Sequence, residues 1–172
     1  FKKYMNLLKF ILSVFFVIYF SDNVLAFTDR EGKGAQSDGR EDSSFLEVTN
    51  SNFKKGKDAL RQALKLEKKN KLDKAKKKFE KSLNYFVLAN KENLDNIEIL
   101  YFLGFVYNKV DDVFMSEIYY NEGLKIDPNN IFINSKLGEL YVRTNRVDLA
   151  KERLKLLNSC NCEEYSILKN LI

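Results

Sequence analysis

The strongest constraint on the fold of this chain is a pattern that recurs after thirty-four residues. Leu103-Gly104 with Tyr107 recurs as Leu137-Gly138 with Tyr141. The same shift matches small residues with small ones and bulky residues with bulky ones in the pairs Asp111/Asn145, Val113/Val147, Ser116/Ala150 and Tyr120/Leu154. A fixed period of this length indicates stacked copies of one supersecondary unit, because each copy buries its apolar side only against its neighbours.

Residue spacing indicates that each copy is a pair of helices. One Pro and seven Gly leave few helix breakers in 172 residues. Leu72, Ala75, Phe79, Leu83 and Phe86 follow at intervals of three or four, which is the spacing of one helix face. An earlier copy begins at a predicted turn at Asn70 but precedes the middle copy by forty-one residues. About seven extra residues near positions 90–96 are therefore expected to lengthen a helix or its loop.

The motif Leu-Gly-x-x-Tyr, a small residue nine positions later, a bulky one four further on and a closing Pro128 resembles the tetratricopeptide repeat family. This resemblance implies an all-α solenoid of about three helical hairpins, near residues 56–89, 97–130 and 131–162, with a short capping helix at 163–172. Its structural signature would be Ala75, Phe79, Leu103, Gly104, Tyr107, Tyr120, Pro128, Leu137, Gly138, Tyr141 and Ala150. The chain departs from the family at the signature tryptophan, where Leu100 and Asn134 stand, and the first copy has Ala63 and Leu66 for Gly and Tyr.

The N-terminal region differs in composition from the repeats. Residues 1–26 combine a basic start, an apolar run from Phe10 to Phe20 and small residues before position 27, which is the layout of a secretory signal peptide. Residues 27–51 are rich in Gly and charge and are predicted to be a flexible linker before a repeat domain at 52–172. We therefore expect export to the periplasm or cell envelope of a bacterium, with an uncleaved inner-membrane anchor as the alternative.

Residue content argues against an enzyme. The chain has no His, the commonest general base and metal ligand, and no phosphate-binding loop or nucleophile elbow. We expect no cofactor and no metal site. Cys160 and Cys162 are candidates for a disulfide; unpaired thiols, intermolecular bridging and redox activity are the alternatives.

The resemblance implies a binding function for the concave face of the stack. In this family the first helix of each repeat lines a groove that accepts an extended peptide or a partner helix. The matching positions are Tyr101, Phe105, Asn108, Phe132, Ser135 and Glu139. We expect a protein or peptide partner, or a second copy of the chain in a homo-oligomer. The competing interpretation is that these aromatic residues pack between helices.

A second function is suggested by a lysine-rich segment. Nine Lys lie between Lys65 and Lys81, against Glu67, Asp73 and Glu80. Such a segment is usually a solvated helix face, but it also suits an electrostatic tether to an anionic membrane or polymer. Membrane contact is expected only through this helix or an uncleaved N-terminus. We expect no nucleic-acid partner for an exported protein.

Overall fold

The computed structural model describes the backbone of residues 43–172 and the side chains of residues 51–172. The predicted signal peptide and the linker up to residue 42 lie outside the described residues. The described part contains seven helices and no strand: α1 Ser43–Lys68, α2 Leu72–Glu92, α3 Ile97–Lys109, α4 Val113–Ile126, α5 Ile131–Arg143, α6 Val147–Leu157 and α7 Glu163–Leu171. The predicted all-α fold class is confirmed.

Successive helices pair as antiparallel hairpins. The pairs are α1 with α2, α3 with α4 and α5 with α6, and α7 packs on both members of the last pair. Helix α2 has 21 residues, whereas α4 has 14. This difference accounts for the longer spacing between the first and second copies in the sequence.

The beginning of the first helix differs from the sequence prediction. Helix α1 starts at Ser43, so residues 43–51 are helical although composition predicted a linker through residue 51. The physical reason lies further along the helix, where the half-buried Phe53 packs against Phe86 and Phe102 with ring centroids 5.8 Å away in both cases. Once this packing holds α1, the helix extends toward its N-terminus with little additional ordering cost per residue.

The three turns within the hairpins share one geometry. Asn70, Asp111 and Asn145 adopt φ values of 55°, 69° and 60°, in the left-handed region. The residue that follows each of them donates a backbone N–H hydrogen bond to the carbonyl five positions earlier. Examples are Asp112 to Tyr107 at 2.9 Å and Arg146 to Tyr141 at 2.8 Å. Asn and Asp tolerate positive φ better than other side chains, which explains why they recur at this position.

Close helix contact in the second hairpin depends on Gly104. A Cβ built on Gly104 would lie 2.5 Å from ring atoms of Tyr120, and the Oγ of Ser116 donates to the Gly104 carbonyl at 2.8 Å. There is therefore no room for a side chain at position 104 of α3, where these three residues meet.

The first hairpin contains the same trio as Gly56, Ser82 and Phe86. A Cβ on Gly56 would lie 2.6 Å from the Phe86 ring, and Ser82 donates to the Gly56 carbonyl at 2.9 Å. If positions are instead counted from the turn at Asn70, Ala75 and Phe79 take the places of the small and the aromatic member of the trio in the second hairpin. Because α2 is longer by seven residues, about two helical turns, both alignments fall on one helix face, and the sequence alone revealed only one.

Most of the predicted signature residues lie in the core. The buried ones are Ala75, Phe79, Leu103, Gly104, Tyr120, Leu137, Gly138, Tyr141 and Ala150. Tyr107 is half-buried and stacks on Tyr119 at 5.3 Å, and Pro128 is exposed in the loop between α4 and α5. Helix α7 adds Leu168, which is fully buried and lies over Gly138, so α7 covers the end of the stack as expected for a cap.

Candidate functional site

The first helices of the hairpins carry the six residues predicted to line a groove. Four of these side chains are almost completely buried: Tyr101 and Glu139 are 2% exposed, and Phe105 and Ser135 are 1% exposed. Asn108 and Phe132 are half-buried. Tyr101 and Phe105 therefore do not form the open aromatic patch that the sequence suggested.

The aromatic residues pack against one another between helices. The Tyr101 ring centroid lies 5.3 Å from that of Phe102, 6.3 Å from that of Phe132 and 6.5 Å from that of Phe105. Tyr101 and Phe105 on α3 thus contribute to the core, as the competing interpretation held. Phe132 joins this cluster from α5, which brings two predicted groove residues of different repeats into contact.

Burial along α3 and α5 is continuous. Every residue from Ile99 to Val106 and from Ile133 to Tyr141 is buried. A helix turns once in 3.6 residues, so runs of eight and nine buried residues mean that both helices are covered on all sides. The side that carries Tyr101, Ser135 and Glu139 is included.

A buried ion pair lies on the same side of α5. The Nζ of Lys136 is 3.2 Å from both carboxylate oxygens of Glu139, and the two side chains are 5% and 1% exposed. The Ser135 Oγ lies 3.5 Å from Oε1 of the same carboxylate. Burial raises the pKa of Glu139, and the nearby Lys136 ammonium only partly offsets this effect. Lys136 is not among the predicted groove residues; its spacing of three from Glu139 indicates an ion pair on one helix but not the burial of that pair.

The buried phenols near this pair are held neutral. Burial raises the pKa of Tyr101 and of Tyr120 well above the usual range, and the Glu139 carboxylate adds to both shifts. A phenol with a raised pKa is a poor base and a poor nucleophile at neutral pH. These residues are therefore suited to packing and hydrogen bonding.

Asn108 takes part in a contact between repeats. Its Oδ1 accepts a hydrogen bond at 2.7 Å from Arg143, whose other terminal nitrogen is 2.7 Å from the Asp111 carboxylate. On the first hairpin, the Glu67 carboxylate pairs with Lys109 at 2.8 Å. These polar contacts join the ends of α1, α3 and α5 and fix the spacing of the first helices.

The two cysteines lie between α6 and α7. Their sulfurs are bonded in a disulfide, with the Cα atoms of Cys160 and Cys162 5.1 Å apart. Among residues 51–172, no group of three Cys, Asp or Glu side chains is placed to hold a metal ion. None of the helices described is both long and apolar enough to cross a membrane.

No protein-family model and no curated protein matches this sequence. Solved structures do match. The Arabidopsis OM64 TPR domain has a TM-score of 0.60 at 16% identity, covering 74% of this chain and 96% of that domain. The C-terminal TPR-containing domain of a Plasmodium falciparum FK506-binding protein has a TM-score of 0.44 at 23% identity, covering 71% and 91%. The first of these similarities shows that the chain has a tetratricopeptide-like fold.

Proposed function

We propose that this chain is a protein-binding scaffold of the bacterial cell envelope and that its concave face receives an apolar segment of a partner protein. The partner segment is a helix or an extended peptide that contacts Asn108 and Phe132, the two predicted groove residues that are only half-buried. The chain acts by binding and positioning, without catalysis.

The observation that carries this proposal is the side-by-side arrangement of the first helices in a tetratricopeptide-like stack, with Asn108 and Phe132 only half-buried among the predicted groove residues. In stacks of this kind the first helices line the face that accepts a peptide or a partner helix, and Phe132 is the aromatic residue of the predicted groove that is not fully buried. The signal-peptide pattern of residues 1–26 supports a place in the envelope.

The experiment compares two substitutions of the same residue type. Phe132→Asp alters a half-buried side chain on α5, beside Tyr101. Phe114→Asp alters a side chain on α4 that is 72% exposed. Each full-length variant is used for affinity capture with crosslinking from an envelope extract, after thermal unfolding has shown that it is folded.

We expect the parent and the Phe114→Asp variant to capture the same partner. The Phe132→Asp variant should capture at least tenfold less of it. Crosslinks should connect that partner to α3 and α5. If both variants capture the same proteins as the parent, the concave face is not the binding surface. Loss with Phe114→Asp alone would place the interface on the second helices instead.

A further inference from the structure

Charge is divided unequally along the stack. Residues 51–92, which include α2 and most of α1, contain fourteen Lys and Arg against five Asp and Glu, a net formal charge of +9. Residues 93–172 contain nine basic and twelve acidic residues, a net charge of −3. The positive charge of the described region is thus concentrated in its first hairpin.

Lysines on the two helices of this hairpin line one surface. Lys55 and Lys65 lie on one side of α1, and Lys69 stands in the turn directly after this helix. Lys74, Lys78 and Lys81 follow the facing side of α2, and these six residues form the basic face. A shallow groove of about 170 Å³ between the helices is lined by Lys55, Lys78 and Lys81 together with one acidic residue, Asp58. Across it, the Nζ of Lys78 donates to Oε1 of Gln62 at 2.7 Å.

The basic face points away from the rest of the stack. The opposite side of α1 contacts the second hairpin through Lys57 and Glu98, 3.6 Å apart, and through Glu67 and Lys109. Helical spacing places Lys55 and Lys65 on the other side of α1 from these contacts. The first hairpin is the outer unit of the described stack, so no described repeat covers this face.

Few acidic groups neutralise the basic face. Glu67 is paired with Lys109 and Asp58 with Arg61. Within residues 51–172, Lys65, Lys69, Lys74 and Lys81 form no ion pair, and all four are exposed. A helix pair with this unbalanced charge repels itself unless anions are nearby.

The chemistry of the face favours a broad anionic surface over a compact ligand. Its cations are Lys, which act as hydrated point charges, whereas the planar fork of Arg is the usual choice for bidentate recognition. They extend along about 20 Å, the rise expected over the fourteen residue steps from Lys55 to Lys69. On the same side of α2, Tyr85 is half-buried and Leu88 is 44% exposed. A tyrosine and an exposed leucine among lysines are typical of a helix face at a lipid interface.

We propose that the basic face of α1 and α2 docks onto the surface of an anionic lipid bilayer. The lysines contact lipid phosphates, and Leu88 and Tyr85 reach the boundary between headgroups and acyl chains. This orientation turns α3 to α7 away from the bilayer. The proposal does not depend on the concave face as a binding site.

The test measures binding of the full-length chain to vesicles of phosphatidylcholine, with and without phosphatidylglycerol. The apolar run at residues 10–20 is expected to bind both kinds of vesicle, so the informative quantity is the ratio of the two partition coefficients. The first variant is Lys65→Gln, Lys74→Gln, Lys81→Gln. A matched control, Lys125→Gln, Lys151→Gln, Lys155→Gln, removes three exposed lysines from the second half of the stack.

We expect the parent to prefer anionic vesicles and to lose this preference in high salt. Removal of one lysine near a bilayer surface lowers the partition coefficient for anionic vesicles about fivefold. In the first variant, which removes three, the preference for anionic vesicles should therefore fall roughly a hundredfold. The control should retain most of it. Equal binding to both vesicles by the parent, or equal loss in both variants, would overturn the proposal. So would retention of heparin by the basic face without any preference for anionic vesicles, which would assign the face to a soluble polyanion.

Discussion

At the residue scale, the absence of a side chain at Gly104 sets the distance between α3 and α4. The planar ring of Tyr120, which is fully buried, occupies the space where a Cβ would stand. Gly123 differs, because its added Cβ would meet only the Cδ1 tip of Ile133 at 2.5 Å, with the next atom 3.7 Å away. A flexible side-chain tip can move aside, whereas a ring packed on all sides cannot.

We therefore expect Gly104→Ala to lower the free energy of unfolding by about 1–2 kcal/mol. Overpacking costs up to about 3 kcal/mol, and the better helix propensity of Ala returns about 1 kcal/mol. Gly123→Ala gains the same propensity with little clash and should be neutral or slightly stabilising. Urea unfolding of both variants measures the difference. Equal stability of the two would show that the Tyr120 ring is free to shift.

The packing of some of these residues was predictable from the sequence, and that of others was not. Gly104 and Tyr120 were predictable, because both recur within a repeated pattern whose period carries the packing information. The burial of Lys136 and Glu139 was not, since helical spacing does not reveal how completely a charged side chain is covered. For the same reason Tyr101 and Phe105 were assigned to an open groove: an aromatic residue on an inner helix side suits both a ligand surface and a core.

At the element scale, each hairpin depends on one residue with positive φ. Asn70, Asp111 and Asn145 are the turn residues. The sequence predicted the turn at Asn70 and matched Asp111 with Asn145 through the repeat, and few side chains tolerate this conformation. The start of α1 at Ser43 was not predictable from composition. Packing of the later part of the helix, at Phe53, overrides the weak local preference of the residues before it.

We expect Asn145→Ala to destabilise the chain by about 1 kcal/mol, because a Cβ without a compensating polar group is strained at a φ of 60°. Asn145→Gly should leave stability unchanged or raise it, since Gly adopts this conformation freely. Thermal and urea unfolding of both variants tests the expectation. If the Gly variant is the less stable one, a contact of the Asn145 side chain matters more than its backbone conformation.

At the scale of the whole molecule, the stack is close to a linear chain of neighbours. Each hairpin contacts mainly the one before and the one after it, and α7 contacts only the last hairpin substantially. Stability in such an arrangement is roughly a sum of repeat terms and interface terms. The period of thirty-four residues predicted this architecture, because nearest-neighbour packing is what a sequence repeat encodes. The lysine-rich segment is visible in the sequence, but the period does not show that its side chains form one face on the outer side of the first hairpin.

Leu168→Ala tests whether loss of the cap remains local. Removing this fully buried side chain over Gly138 is expected to cost about 2–4 kcal/mol. Because neighbours transmit stability only through their interfaces, amide hydrogen exchange should accelerate most in α5 to α7 and least in α1 and α2. Ile172→Ala, at a side chain 40% exposed, is the control and should change exchange little. An equal acceleration in all helices would mean that the hairpins unfold as one cooperative unit, with interfaces strong enough to hide the repeat boundaries.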